Sequence, residues 1–303
     1  MTKHKLGTLV AAAGLALTLV FAPGLQAQKK MIQIKGSDTL VNLVQILAEE
    51  YMAKRPATPI AVLGGGSGTG ISGLINGTCD IADHSREWKQ SEIDQAGTKG
   101  VNPRFFVIAV DGLSIIVNSA NPLNKLTMDQ VGAIYRGEIT NWKDVGGPDQ
   151  AVSLYGRQSN SGTYVFLQEH VLKNKNYSPD MKQMNGNAQI VESVTQDRAG
   201  IGYVGVGYVV DSKTAKVRSG IKVLNISKDP QSQAYSPLEK ANVDSGKYPV
   251  ARALYQSTNG KPSGAVADFI RFEISPEGQK IVEREGFFTI GAAQRADDLK
   301  NLQ

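Results

Sequence analysis

The sequence predicts an α/β fold, and three observations carry that prediction. Short β-type runs alternate with helical patterns along most of the chain. No repeat, coiled coil or low-complexity tract breaks that alternation after the first residues. Gly/Ser/Thr-rich loops stand three times between a strand and a helix. Strands are expected at 32–35, 59–63, 105–110, 113–118, 152–155 and 200–204, in largely parallel sheets. Leu40, Leu43, Val44, Leu47, Ala48 and Tyr51 recur at the spacing of one helix face. Further helices are expected at 127–135, with Thr127 as N-cap, and at 162–172, with Tyr164, Leu167 and Val171 in register. An amphipathic helix follows at 263–275, and Pro276 opens another through 285, since proline suits a first helical position. The polar, weakly periodic segment 229–247 reads as a loop.

The first residues read as an export leader. Lys3 and Lys5 precede an apolar run from Leu6 to Phe21, and Leu25-Gln26-Ala27 offers a small residue for cleavage after position 27. That run is shorter than the roughly 20 residues of a membrane-spanning helix. With no cysteine near the cut, a lipid anchor has no attachment point, and a soluble periplasmic protein is expected. Loss of Lys3 and Lys5 lowers the formal charge from +5 to +3, too weak a basic bias to suggest a nucleic-acid partner. Cys79 is the sole cysteine, so no internal disulfide can form, and its apolar-leaning context fits a buried, inert thiol.

The three loops share one chemistry. Gly36-Ser37-Asp38-Thr39 leads into the Leu40 helix, Gly64-Gly65-Gly66-Ser67-Gly68-Thr69-Gly70 into a helix at Ile71, and Gly156-Arg157 through Ser161-Gly162-Thr163 into the Tyr164 helix. A helix start presents unsatisfied N–H groups and a positive dipole end. Glycines let backbone approach an anion, hydroxyls add donors, and Arg157 can add a two-pronged charged contact. Ordinary helix capping would explain any one of these loops. Three in one chain, one of them carrying an arginine, point to a shared anion.

Rival readings meet specific obstacles. A nucleotide-hydrolase phosphate loop ends in Gly-Lys-Ser/Thr, and no lysine follows Gly66. Gly200, Gly202 and Gly205 match the dinucleotide spacing, but they lie within a strand-like run rather than between a strand and a helix. A serine hydrolase needs a base, and after the leader only His84 and His170 remain. His84, beside Asp83 and Ser85, keeps that alternative open. His170 falls late in a helix, where a surface charge role is expected. No ligand-spaced cluster suggests a metal, and no cofactor is expected.

At these loops the chain resembles the phosphate-binding proteins of bacterial ABC importers. The likeness rests on Gly36 to Leu40, Gly64 to Ile71, Asp80-Ile81-Ala82-Asp83-His84-Ser85-Arg86, Ile134-Tyr135-Arg136-Gly137-Glu138-Ile139-Thr140-Asn141-Trp142, and Gly156-Arg157 with Ser161-Gly162-Thr163. It implies a periplasmic-binding-protein type II fold, two α/β lobes joined by a two-stranded hinge. The lobes would be 28–110 with 249–303, and 111–248. It also implies inorganic phosphate as ligand, a membrane ABC permease as partner, and no catalysis by what would be a monomer. Carried over by position, the ligands would be Ser37, Asp38 and Thr39; Ser67 with the Gly68 and Thr69 amides; Ser85 and Arg86; and Arg157, Ser161, Gly162 and Thr163. Phosphate near neutral pH keeps a proton that sulfate lacks, so a carboxylate acceptor would favour phosphate. Some family members place an aspartate in the stretch matching 83–87, where this chain has Ser85. Asp38 is therefore the first candidate acceptor and Asp83 the second. Arg86 could instead pair with Asp83 or Glu87. Another oxyanion (sulfate, molybdate, arsenate or a phosphonate) is the alternative ligand, and Trp142 is expected to anchor packing.

Overall fold

The computed structural model describes Thr2, residues 31–211 and residues 214–303. Apart from Thr2, the expected leader at 1–27 lies outside the described residues. The first part of the chain runs β1 (Ile32–Gly36), α1 (Val41–Lys54), β2 (Ile60–Leu63), α2 (Ser67–Ile75), β3 (Ile81–His84), α3 (Gln90–Thr98) and β4 (Pro103–Gly112). A middle part follows with β5 (Ser114–Asn118), β6 (Lys125–Thr127), α4 (Met128–Tyr135), β7 (Ser153–Arg157), α5 (Gly162–His170), β8 (Lys182–Met184), α6 (Asn187–Gln196) and β9 (Gly200–Val204). Short strands β10 (Val210–Asp211), β11 (Lys216–Val217), β12 (Ile221–Val223) and β13 (Asn225–Ser227) lead to α7 (Lys240–Asp244). The chain closes with β14 (Ala251–Asn259), α8 (Gly264–Glu273), α9 (Pro276–Arg284) and α10 (Ala292–Asn301).

Local chemistry sets these elements. In α1 the buried residues are Leu43, Val44, Leu47, Ala48 and Tyr51, the face its periodicity predicts. Thr127 caps α4 in a capping box with Gln130, and Pro276 stands in the first turn of α9 behind the Ser275 cap. The segment 229–247 is not all loop. It contains α7, a five-residue helix with Val243 buried, too short to leave a periodic signature.

Two five-stranded sheets organise the molecule, in the orders β2-β1-β3-β14-β4 and β12-β5-β9-β7-β8. The expectation of largely parallel sheets is corrected, since both are mixed. β1 runs parallel to β2 and β3, while β14 runs antiparallel to β3 and β4. In the second sheet β7 is parallel to β8 and β9, while β5 is antiparallel to β9 and β12. The cause is the chain path. Only Leu113 separates β4 in one sheet from β5 in the other, and the returning β14 runs back along β4 over Ala251–Asn259.

A large apolar core runs through both sheets, and a smaller one, with Ile71, Leu74, Trp88 and Ala96, packs under α2 and α3. Trp142 is fully buried, its indole Nε1–H donating to the Ala199 carbonyl at 3.0 Å, which makes it a packing anchor. The glycines at 200, 202 and 205 serve backbone packing. A Cβ at Gly202 would fall 2.4 Å from Ile190 on α6. Cys79 is buried, and desolvation pushes its thiol up to about 12.

Candidate functional site

Four loops leave the carboxyl ends of parallel strands β1, β2, β3 and β7, the edge where open α/β sheets bind ligands. They bring Ser37–Thr39, Ser67, Ser85 and Arg157–Thr163 together from the two sheets. Ser67 Oγ accepts the Ser85 N–H at 3.1 Å and lies 3.4 Å from the Ser85 Oγ. Gly162, the first residue of α5, abuts both, for a Cβ there would fall 2.3 Å from the Ser67 Oγ and 2.7 Å from the Ser85 Oγ. Thr39 Oγ1 and Thr163 Oγ1 stand 3.0 Å apart. Ser161 caps α5 by accepting from the Thr163 and Tyr164 amides. Ser37, Thr39, Ser67, Ser85, Ser161 and Thr163 are all buried.

The β2–α2 loop is strapped across the junction by Asn160. Its carbonyl accepts the Gly68 N–H at 3.0 Å, and its side-chain amide donates to the Gly65 carbonyl at 2.8 Å. Gly66 has φ +92, and a Cβ there would meet the Asn160 carbonyl at 2.7 Å, so only glycine suits that position. Gly68 and Thr69 differ from expectation. The Gly68 amide is taken by Asn160, the Thr69 amide by the Gly66 carbonyl, and the Thr69 hydroxyl donates to the Gly65 carbonyl. Geometry demands this, because a glycine-rich turn must satisfy its own backbone before it starts a helix.

Arg157 is 1 % exposed and held on several sides. Its Nη2 donates to the Asp38 carboxylate and to the Asn185 carbonyl, its Nε to the Met184 carbonyl, and its backbone N–H to Tyr203 Oη. Asp38 does not cap α1, whose N-cap is Leu40 without a side-chain hydrogen bond. One Asp38 oxygen accepts the Gly65 N–H at 2.8 Å and the other pairs with Arg157, while Tyr208 Oη donates to the Asp38 carbonyl at 2.6 Å.

Two expected residues sit elsewhere. Arg86 makes a bidentate pair with Glu92 at 2.7 Å on both arms and donates to the Glu87 carbonyl, so its guanidinium is committed to the start of α3. Its partner is thus Glu92, not the Asp83 or Glu87 carboxylate. Asp83 turns its carboxyl to Gln256, beside Glu273, inside the first sheet's own packing. Burial raises both acids well above the usual carboxylate range. Register explains the contact, since β14 sets Gln256 opposite Asp83 and the Gln256 amide also donates to Glu273.

His84 stacks on Tyr255 with ring centroids 5.1 Å apart and meets Trp88 and Phe105 edge-on. Its Nδ1 lies 2.7 Å from the Arg86 carbonyl, and burial lowers its pKa to about 4. His170 turns Nδ1 to the Phe166 carbonyl and stacks on that ring. Neither histidine is bonded to a loop serine. Among the described residues no acid, histidine and cysteine group could hold a metal ion.

Two residues at the junction escaped the sequence reading. Arg252 on β14 is buried, with Nη2 reaching Asp111 at 2.8 Å, Thr163 Oγ1 at 3.0 Å and Thr39 Oγ1 at 3.4 Å, and Nη1 donating to the Ser85 carbonyl at 3.0 Å. Asp111 on β4, register-paired with Arg252, also accepts the Val206 N–H at 2.8 Å. Their signal was a lone charge inside an otherwise apolar strand run.

Comparison with known proteins bears on this geometry. The PBP superfamily domain matches residues 22–277. The phosphate-binding protein PstS of Pseudomonas aeruginosa is 34% identical over 284 residues, covering 88% of this chain and 85% of that protein. The chain belongs to the PBP superfamily and, within it, to the PstS family. A PstS of Borreliella burgdorferi is 29% identical, with 91% and 96% covered. Among solved structures, a provisionally named phosphate ABC transporter substrate-binding protein from Clostridium perfringens, with phosphate bound, superposes with a TM-score of 0.76. It is 28% identical over 86% of this chain and all of that one. An ABC-type phosphate transport receptor from Vibrio cholerae gives a TM-score of 0.67 at 29% identity, with 86% and 100% covered. This PstS-family chain therefore has the periplasmic-binding-protein fold.

Proposed function

We propose that this chain captures inorganic phosphate between its two sheets and hands it to an ABC import permease. One observation carries the reading: the starts of α1, α2 and α5 converge from both sheets on one buried, hydroxyl-lined junction. Three positive dipole ends aimed at one point repel unless an anion offsets them. Arg157 adds a fixed cation there. The names of the PstS relatives and the phosphate-bound Clostridium perfringens structure support phosphate as that anion.

In this reading the donors are the hydroxyls of Ser37, Thr39, Ser67, Ser85, Ser161 and Thr163, the Gly162 amide and Arg157. Asp38 is the acceptor for the phosphate proton, since a carboxylate offers about four lone-pair sites and the Gly65 N–H and Arg157 use two. Sulfate brings no proton and would face that carboxylate unpaired. The two lobes are residues 28–110 with 249–303, and 111–248, hinged where β4 passes into β5 and where the chain returns to β14. Asn160, Thr39–Thr163 and Arg157–Asp38 are the contacts that closure would form. The leader would export the chain to the periplasm, where it would act as a monomer without turnover. No described helix is long and apolar enough to cross a membrane.

Calorimetric titration of refolded, ligand-free protein with phosphate and sulfate tests the reading. Tight phosphate and weak sulfate binding are expected, and the reverse would sink it in favour of another oxyanion. Turnover of p-nitrophenyl phosphate that vanishes with His84→Ala would establish the hydrolase instead.

A further inference from the structure

Arg252 stands where the two sheets exchange the chain. It faces Asp111 across the β14–β4 ladder, one residue from the Gly112 and Leu113 passage into β5. Its contacts divide by sheet. Asp111, the Ser85 carbonyl and Thr39 belong with the first sheet. Thr163 belongs to α5 of the second, as does Phe166, whose ring lies 5.3 Å from the Arg252 guanidinium carbon. Thr163 and Phe166 are three residues apart on one helix, so they present one face to the arginine.

A guanidinium carries only donors. Of the two N–H bonds on Nη2, one serves Asp111 and the other is shared between the Thr39 and Thr163 oxygens. Each hydroxyl oxygen thus accepts from Arg252, which leaves its single proton to be donated elsewhere. One such proton now bridges the two threonines. An anion oxygen arriving at the junction would draw both. Polarisation by the cation also makes each hydroxyl a stronger donor in so dry a place.

We infer that Arg252 is a positioning residue that turns the Thr39 and Thr163 hydroxyls into anion donors and ties lobe closure to anion capture. The inference rests on the phosphate reading above. Asp111 holds the guanidinium in place from the hinge side, through Nε at 3.0 Å and Nη2 at 2.8 Å. The contacts to Thr163 and Phe166 exist only while the second sheet's α5 is docked. Opening the lobes would free Thr163 and leave Arg252 with its first-sheet partners.

A double-mutant cycle tests it, with phosphate affinity measured by calorimetry on the mature chain. Arg252→Met should weaken phosphate binding at least tenfold in the otherwise unchanged protein. In a Thr39→Val/Thr163→Val background the same substitution should cost less than threefold, because its targets are gone. Equal costs in both backgrounds would overturn the inference, as they would place Arg252 on the anion itself or in the fold alone. Arg252→Met strands a buried Asp111 carboxylate, so the cycle is repeated with Asp111→Asn, which keeps an oxygen for the Val206 N–H. A protein that binds no phosphate before any substitution overturns the phosphate reading and this inference together. Phosphate binding that ignores Arg252 overturns this inference alone.

Discussion

Gly162 opens α5 directly against Ser67, which opens α2, with room for no atom between them: a Cβ at 162 would fall 2.3 Å from the Ser67 Oγ. The Ser67 Oγ cannot swing aside freely, because it accepts the Ser85 N–H. Gly162→Ala should therefore obstruct closure without disturbing either sheet. Phosphate affinity is expected to fall at least tenfold, while the ligand-free melting temperature stays within a few degrees. Calorimetry and thermal unfolding on the same sample check both halves, and unchanged affinity would show that the helix starts need not meet.

Much of this junction was legible because helix starts carry local signatures. Ser161 caps α5 and Ser67 begins α2 where Gly/Ser/Thr clusters follow strand-like runs. Arg157 was legible for its place before Ser161. Sequence could not show that Arg252, 213 residues after Thr39, would share its hydroxyl, since that contact depends on β14 returning beside β4. Asp83 and Arg86 misled for the opposite reason. Their proximity in sequence to Ser85 suggested the site, while the β14 register that sets Gln256 opposite Asp83, and Glu92 beside Arg86, directed them elsewhere. The mixed sheets were illegible too, because strand direction follows from long connections rather than from local pattern.

The Arg157–Asp38 pair predicts two separable effects. Arg157→Ala removes a buried cation and leaves the Asp38 carboxylate facing the anion, so phosphate should bind at least tenfold more weakly. Asp38→Asn removes the proton acceptor and should narrow the phosphate-over-sulfate ratio. Competition titrations with both anions measure it. An unchanged ratio would remove Asp38 from selectivity.

His84 predicts an acid-side effect on stability. Its Nδ1–H donates to the Arg86 carbonyl, which leaves a bare, buried Nε2 with no hydrogen-bond partner among the described residues. Burial lowers its pKa from 6.5 to about 4. Between those values the unfolded chain binds a proton that the folded chain refuses, so this residue's effect is to reduce stability as pH falls. His84→Phe abolishes that proton uptake. The variant's stability relative to the original protein should rise by on the order of 3 kcal/mol from pH 7 to pH 4, read from urea unfolding. A constant offset across that range would refute the assignment.

Asp83 and Glu273 predict the opposite slope. Gln256 Nε2 donates to Glu273 Oε1 at 3.2 Å, yet Asp83 Oδ1, Glu273 Oε2 and Gln256 Oε1 are buried without partners among the described residues. Oxygens gathered in this way need donors, and protonated carboxyls supply them. Burial raises both acids, and the like charge of Asp83 raises Glu273 further. A raised folded pKa gives stability that is complete below the unfolded value of 4.5 for Glu273 and is lost as pH climbs through the folded value. Glu273→Gln stays neutral at every pH. Its unfolding midpoint should therefore gain on the original protein steadily from pH 5 to pH 8, whereas parallel curves would mean that the carboxyl is already ionised in the folded state.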